Sequence, residues 1–214
     1  MKIETIEVAG LASVLKAMRL PYNKDTQSVI HTNTWCGDSI EEGFTKEFVN
    51  ESDIFVHPKD IELLQNLMMN GDSHCKPQRG LIAYLDITAS ISFFTELETY
   101  RMGHERLFSA STMNTEGKKL RGVELERALA VVSLMRQIRK IDFFSYQCLR
   151  NIVKQRYNHR KPEWHYFIEH IKTLPLAQEL IVYGLDEQLA VHDQMWAEYL
   201  EELKEEELKK QGQQ

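Results

Sequence analysis

The chain has 214 residues, of which 43% are hydrophobic, and a formal net charge of −6. This is enough apolar material for one large folded domain and excludes a disordered chain as the default interpretation. The acidic balance argues against unspecific coating of duplex DNA. The first residues lack the apolar core of a signal peptide, and no apolar run reaches membrane-spanning length, so we expect a cytoplasmic protein with no membrane partner. Cys36, Cys75 and Cys148 are widely spaced and favour thiols over a disulfide framework.

Apolar periodicity predicts two helices in the first third of the chain. Apolar residues at helical spacing predict a helix from about 11 to 18, which stops before Pro21. The polar, aperiodic stretch 23–50 is typical of a long loop or insertion. A second amphipathic pattern predicts a helix from 60 to 70, where Asn70 and Gly71 form a stop signal.

A strand is the best interpretation of the next segment, because apolar and mixed residues alternate there. The face expected to be buried consists of Leu81, Ala83, Leu85 and Ile87. The period then changes, and Ile91, Phe94 and Leu97 are spaced for a helix that ends near Gly103. A loop is expected after that glycine.

Helical patterns fill the remainder of the sequence. The expected helices span 117–139, 142–156, 163–171, 176–183 and 186–208. Residues 209–214 are expected to form a frayed tail. The sequence therefore predicts an α+β fold, a mostly helical single domain over 1–208 with a small sheet.

Glu98 to Asn114 concentrates cationic and hydroxyl side chains just after an apolar run. The candidate ligands are Arg101, Arg106, Ser109, Ser111 and Thr112. Guanidinium groups beside hydroxyls and backbone amides suit a phosphate group. The segment is therefore a candidate nucleotide site.

A second cluster, Gln155 to Trp164, crowds a predicted helix end. Arg156, His159 and Arg160 fall within it, ahead of a carboxylate and an indole. Cations at a helix C-terminus also stabilise the helix dipole, so anion binding and simple capping both remain open here.

Familiar catalytic motifs are missing from the sequence. It contains no GxxxxGK[ST] loop, GxGxxG turn, GxSxG elbow, HExxH helix or CxxC pair. Asp72, His74 and Cys75 could ligate a metal, but no second cluster at ligand spacing completes a closed site. We therefore expect no metal.

Several segments together resemble a phage-encoded family related to flavin-dependent thymidylate synthase. They are "IEVAGLASVLKAMR", "GDSHCKPQRGLIAYLDI", "ELETYRMG" with the following "SASTMN", and "QRYNHRKPEW" with "LP" downstream. The order matches the layout of the synthases: a histidine-proline segment, a strand, a helix, an arginine-rich signature with downstream serines, and a late arginine. His74 with Pro77 corresponds to the first of these and Arg101 to the last arginine of the signature.

The resemblance implies a fold, a chemistry and an assembly. In that chemistry reduced FAD, methylenetetrahydrofolate and NADPH support the conversion of dUMP to dTMP, a C5 methyl transfer, on a homotetramer in the cytoplasm, here that of a host. It implies that Arg156 and Ser109 are catalytic, addressing the pyrimidine and its nucleotide. The nucleotide-binding set becomes Arg101, Arg106, Ser109, Ser111 and Thr112, and the flavin-binding set His74, Arg101, His159 and Arg160.

The sequence departs from the synthase pattern in ways that leave alternatives open. Thr99 and Tyr100 stand where the signature has arginine and histidine, and Gln78 and Arg79 stand where an acid is expected. One alternative is C5 methyl or hydroxymethyl transfer to a related pyrimidine deoxynucleotide. Another is a noncatalytic phage scaffold or interaction protein, which kept the fold and lost flavin chemistry. Nucleic-acid binding through the basic stretch 136–161 is the least favoured.

Overall fold

The computed structural model describes residues 1–26, 28–31, 45–49, 52–71, 73–110, 114–115, 118–119, 121–130 and 132–211. The strands are β1 Lys2–Ala9, β2 Val29–His31, β3 Thr45–Val49, β4 Ser52–Val56, β5 Ile82–Ser90, β6 His104–Ser109, β7 Asn114–Thr115, β8 Lys118–Lys119 and β9 Gln137–Ser145. The helices are α1 Leu11–Ala17, α2 Pro58–Met69, α3 Lys76–Gly80, α4 Ile91–Leu97, α5 Gly122–Ala130, α6 Tyr146–Arg156, α7 Pro162–Ile171, α8 Ala177–Leu180 and α9 Asp186–Gln211. The chain has the α+β fold expected, mostly helical around a small sheet.

A four-stranded antiparallel sheet forms the centre of the molecule, in the order β1, β5, β9, β6. Strand β5 buries Ala83, Leu85 and Ile87 of the expected face together with Ala89, and leaves the opposite face half-exposed. Leu81, also expected on that face, is buried just before the strand. Helices α4, α6 and α7 pack on the buried face. There the Phe167 ring contacts Phe93, Phe144 and Trp164, and Phe93 also contacts Trp164. This aromatic core fixes the helices that carry the candidate site residues.

The predicted helices 117–139 and 142–156 were wrong in part, because the central strand β9 occupies the end of the first and the start of the second. Helix α5 covers only 122–130, β9 occupies 137–145, and α6 begins at Tyr146. The inward face of β9 includes two charged residues, Lys140 and Asp142, both buried. Charges on the buried face hide the two-residue apolar period that identifies a strand.

Further strands occur where loops were expected or nothing was assigned. Strand β6 replaces the loop expected after Gly103, and β1 precedes α1. Strands β2 and β3 lie inside the stretch 23–50, whose residues 32–44 fall outside the described ones. Helix α9 runs through 209–211, and 212–214 are also outside the described residues. Along the described chain, no helix is both long and apolar enough to cross a membrane.

Candidate functional site

The turn between α4 and β6 is held against the start of α6. Gly103 has φ +79°, a conformation that favours glycine, and its carbonyl accepts a 2.6 Å hydrogen bond from the Ser145 amide. A Cβ at this position would lie 2.1 Å from Ser145 Oγ. Because Ser145 caps α6 through the Cys148 amide, the turn bearing Tyr100 and Arg101 is positioned by α6.

Glu96 on α4 is the acceptor around which the second sequence cluster assembles. Its carboxylate accepts hydrogen bonds from Lys161 Nζ at 2.5 Å and from Trp164 Nε1 at 2.7 Å. Arg156 Nη1 and His159 Nε2 lie 3.7 and 3.6 Å from the same carboxylate. One acid therefore gathers the end of α6 and the start of α7 beside α4.

Arg156 is held in a fixed plane by two aromatic rings. Its Nε donates a 2.8 Å hydrogen bond to the phenolic oxygen of Tyr100. Its Cζ lies 4.8 Å from the ring centroid of Trp164 and 5.6 Å from that of Tyr100. Cation–π contact and the hydrogen bond preorganise a guanidinium that is still partly exposed.

The protonation states around Glu96 follow from its partners. Burial alone would raise the pKa of Glu96, but the hydrogen bonds from Lys161 and Trp164 outweigh it and hold that pKa below its usual range. Burial lowers the pKa of His159, and the carboxylate of Glu96 only partly opposes this. Since His159 Nδ1 accepts from the Lys161 amide, we assign the ring proton to Nε2, which faces Glu96.

A second ion network lies between α4, β6 and β9. Arg106 Nη1 is 2.7 Å from Glu98, and its Nε is 3.5 Å from the fully buried carboxylate of Asp142. His104 Nε2 lies 3.0 Å from Asp142, and Lys140 Nζ lies 3.2 Å from Glu98. The cation of Arg106 is thus paired within the chain, although its Nη2 is buried without a hydrogen-bond partner.

The structure brings some of the sequence-predicted residues together. Arg101 is exposed on the turn next to Tyr100, which contacts Arg156, so the two sequence clusters meet there. His159 joins them through Glu96, and Arg160 is exposed on the same turn between α6 and α7.

Other predicted residues lie apart from this meeting point or outside the described chain. Ser109 is exposed at the end of β6, where its hydroxyl donates to the Ala110 carbonyl. Ser111 and Thr112 fall outside the described residues. His74 lies at a separate cavity.

That cavity has a volume of about 610 Å³ and is formed by α1, the turn after it, α2 and the start of α3. Its lining includes Val14, Met18, Tyr22, Leu67, His74 and Lys76. Mostly apolar walls with a few polar groups, and a volume within the range of ligand sites, suit a flat aromatic ligand. The ammonium of Lys76 adds a partner for an anionic group.

Sequence reasoning missed Glu96, Tyr100, Lys161 and Trp164 as members of the site. Tyr100 was interpreted as a departure from the signature, whereas it supports Arg156. A signal was present, because Glu96 and Tyr100 are four residues apart at the end of a predicted helix and so lie on one side of it.

Two other charged clusters form ion pairs within the chain. Glu169, His192 and Asp193 offer ligand atoms within 4.8 Å of one another, but Lys172 Nζ already lies 2.7 Å from Glu169 and 3.0 Å from Asp193. Some cations of the basic stretch 136–161 pair with acids of the same chain, as in Arg139 with Asp86 and Lys140 with Glu98.

Comparison with known proteins identifies the fold. No protein-family model and no curated protein sequence matches the chain. Among solved structures, thymidylate synthase X from Helicobacter pylori with FAD and dUMP matches with a TM-score of 0.58 at 12% identity, over 88% of this chain and 99% of that one. A second structure of that flavin-dependent enzyme, also with FAD and dUMP, gives 0.59 at 12% identity, over 86% and 98%. The chain thus has the fold of a flavin-dependent thymidylate synthase.

Proposed function

We propose that the protein binds a pyrimidine deoxynucleotide at the surface where Arg101, Tyr100 and Arg156 meet. The observation that carries this proposal is the Arg156 guanidinium, which is fixed between Tyr100 and Trp164 and remains partly exposed. A fixed, planar donor suits the carbonyl edge of a pyrimidine, and the exposed cation of Arg101 suits a phosphate. A protein of the same fold, thymidylate synthase X from Helicobacter pylori, has been solved with dUMP.

The proposed assignment modifies the roles expected from sequence. Arg101 and Arg156 bind the nucleotide directly, and Ser109 contributes its exposed hydroxyl. Arg106, paired with Glu98 and Asp142, supports the turn from behind and is a weaker candidate for direct phosphate contact. Ser111 and Thr112 keep their proposed role on the sequence alone.

FAD is the proposed cofactor, and the 610 Å³ cavity is the place that fits part of it. The apolar side chains of α1 suit a flat ring system, whereas His74 and Lys76 suit its polar and phosphate groups. His159 and Arg160 do not line this cavity and keep their proposed flavin-binding role on the sequence alone. In the proposed C5 methyl transfer, reduced FAD supplies the hydride, methylenetetrahydrofolate the carbon and NADPH the reducing equivalents.

We further propose that the protein forms a homo-oligomer, with a tetramer favoured. Met102 is 89% exposed and Phe108 is 78% exposed, and both lie beside the candidate site on or next to the edge strand β6. Large apolar side chains on a sheet edge favour contact with a second copy of the chain. Light scattering across a concentration series measures the assembly, and a strict monomer would contradict it.

Calorimetric titration with dUMP tests the nucleotide site. We expect saturable binding that Arg101→Ala and Arg156→Ala weaken by at least tenfold. Arg139→Ala is the matched control, because Arg139 pairs with Asp86 on the other face of the sheet. Unchanged affinity in the first two variants, with intact folding, would refute the proposed site.

The visible absorption spectrum after FAD addition and desalting tests the cofactor. We expect retained flavin that sharpens with dUMP, and reduced retention in Lys76→Ala but not in Lys59→Ala, an exposed residue at the start of α2. If the protein stayed colourless but still bound dUMP, it would be a nucleotide-binding protein that does not bind flavin.

The second candidate function is a noncatalytic scaffold or interaction protein. It is favoured by the internal pairing of Arg106 with Glu98 and Asp142, which uses a cation that phosphate binding would need. If the intact oligomer bound neither dUMP nor FAD, that result would favour this function.

A further inference from the structure

A second cavity lies between α3, α6 and the turn before α9. It has a volume of about 260 Å³ and shares no lining residue with the 610 Å³ cavity. Its lining comprises Met68, Met69, Gly71, Cys75, Gln78, Gln147, Arg150, Asn151, Lys154, Gly184 and Leu185. Two of the described lining residues are cations, Arg150 and Lys154, and none of the described lining residues is a carboxylate.

Arg150 is the buried cation of this lining, with only 5% of the residue exposed. Its Nη1 donates to two main-chain carbonyls, those of Ile181 at 2.7 Å and Tyr183 at 2.8 Å. Both acceptors are neutral, and no described carboxylate forms an ion pair with Arg150. Burial lowers the pKa of this guanidinium, and Cys75 partly opposes that shift, yet arginine stays protonated. Among the described residues, its charge therefore has no carboxylate partner.

Gln78 lines the same cavity and carries an unused acceptor. The residue is 2% exposed, and its Nε2 donates to the Leu180 carbonyl. That bond fixes the amide orientation, and Oε1 is left buried with no hydrogen-bond partner. A buried acceptor without a donor is costly, which points to a ligand that supplies an N–H or O–H group.

We propose that this cavity binds inorganic phosphate as hydrogen phosphate. The remaining donors of Arg150 bind the charged oxygens, and Gln78 Oε1 accepts the hydrogen bond of the remaining P–OH group. Asn151 lines the same space, and its side-chain amide provides a further donor. A ligand with both negative oxygens and one hydroxyl satisfies the cation and the acceptor together.

The unpaired acceptor makes the site selective among oxyanions. Sulfate has no proton to donate at neutral pH, and a phosphate monoester loses its last proton above about pH 6. Hydrogen phosphate keeps one O–H group at about pH 8, so it is the oxyanion that fits Gln78 there. The site does not depend on the proposed nucleotide function, because no residue is shared.

Calorimetry at about pH 8 and constant ionic strength tests the proposal, with inorganic phosphate, sulfate and methyl phosphate as separate titrants. We expect saturable phosphate binding and at least tenfold weaker binding of the other two. Gln78→Leu should reduce this preference to less than threefold. Equal affinity for phosphate and sulfate in the unaltered protein would overturn the role of Gln78.

The variant Asn151→Asp tests the cation without removing Arg150, whose bonds to main-chain carbonyls support the fold. A carboxylate on the lining should abolish phosphate binding, whereas Asn66→Asp on the exposed side of α2 should leave it unchanged. Melting curves and near-ultraviolet circular dichroism confirm that each variant is folded. Absence of phosphate binding in the folded, unaltered protein, or full binding in Asn151→Asp, would overturn the proposal.

Discussion

Arg156 Nε donates a 2.8 Å hydrogen bond to the phenolic oxygen of Tyr100 and thereby joins the end of α6 to the turn after α4. The same guanidinium lies over the Trp164 ring, so three elements meet at one side chain. Such a contact orders the surface that is proposed to bind the nucleotide. Because the contact depends on the planar shape of the Arg156 guanidinium as well as on its charge, a variant that keeps only the charge tests it.

Arg156→Lys should weaken both the fold and dUMP binding. Lysine keeps the positive charge but loses the planar donor and most of the ring contact. We expect a loss of about 1–2 kcal/mol in the free energy of unfolding, in line with one charged hydrogen bond and a cation–π contact. Urea denaturation measures it, and Arg160→Lys on the exposed turn is the control. Equal stability of the two variants would mean that the Tyr100 contact contributes little.

Glu96→Gln should make the protein less stable at neutral pH, by about 2 kcal/mol for the loss of charged hydrogen bonds. Hydrogen bonds from Lys161 and Trp164 depress the folded pKa of Glu96 despite its burial. Stability from such a group is present above the unfolded pKa, about 4.3, and is lost as pH falls through the lower folded value. The gap between unaltered protein and variant should therefore shrink from pH 7 to about pH 3. A gap that is constant with pH would refute the role of the charge.

Sequence periodicity predicted the elements whose buried faces are apolar. Strand β5 and helices α2, α6 and α7 were expected close to where they occur, because residues such as Leu85, Leu64 and Phe167 mark the core side. Strand β9 was missed because Lys140 and Asp142 point inward. Their charges are compensated by Glu98, His104 and Arg106, which lie 36 to 42 residues away from their partners in sequence, and no local pattern reveals such partners.

The sequence indicated several candidate residues for the site, but not which of their charges pair within the chain. Arg101 and Arg156 were identified from sequence, and the structure places their neighbourhoods together. Whether a given arginine is free or internally paired depends on tertiary contacts, and Arg106 illustrates this through Glu98 and Asp142. Local sequence also gave no reason to select Gln78 or Arg150, whose significance arises from burial.

Gly103→Ala should be more destabilising than Gly71→Ala. Both glycines have positive φ, +79° and +94°, so both substitutions strain the backbone. A Cβ at Gly103 would also approach Ser145 Oγ to 2.1 Å, whereas nothing lies within 4 Å at Gly71. We expect a loss of about 1 kcal/mol at Gly71 and about 3 kcal/mol at Gly103. Thermal and urea unfolding compare them, and equal losses would mean that the turn moves freely away from α6.

Acidification from pH 7 to 5 should destabilise the protein through its buried histidines. Burial lowers the pKa of His165, although its bond to the His159 carbonyl opposes the shift, and burial alone lowers the pKa of His170. The unfolded chain binds protons more readily than these sites, so stability falls as pH drops from about 6.5 through the folded values. His165→Gln should make this pH dependence shallower. An unchanged slope in the unfolding free energy would contradict the assignment.

Trp196→Ala should destabilise the protein, whereas truncation after Leu200 should not. Trp196 contacts Tyr166 of α7 at a centroid distance of 4.7 Å, which attaches the first half of α9 to α7. It also stacks on Tyr199 of its own helix at 5.7 Å. We expect a loss of about 2–3 kcal/mol for this half-buried indole. Residues 201–210 are exposed apart from a half-buried Leu203, so truncation after Leu200 should cost less than about 1 kcal/mol. Urea unfolding of both variants decides between a helix that packs on its own domain and one kept for a partner. A truncation as costly as Trp196→Ala would show that the second half of α9 is buried in solution, by a contact absent from the single chain.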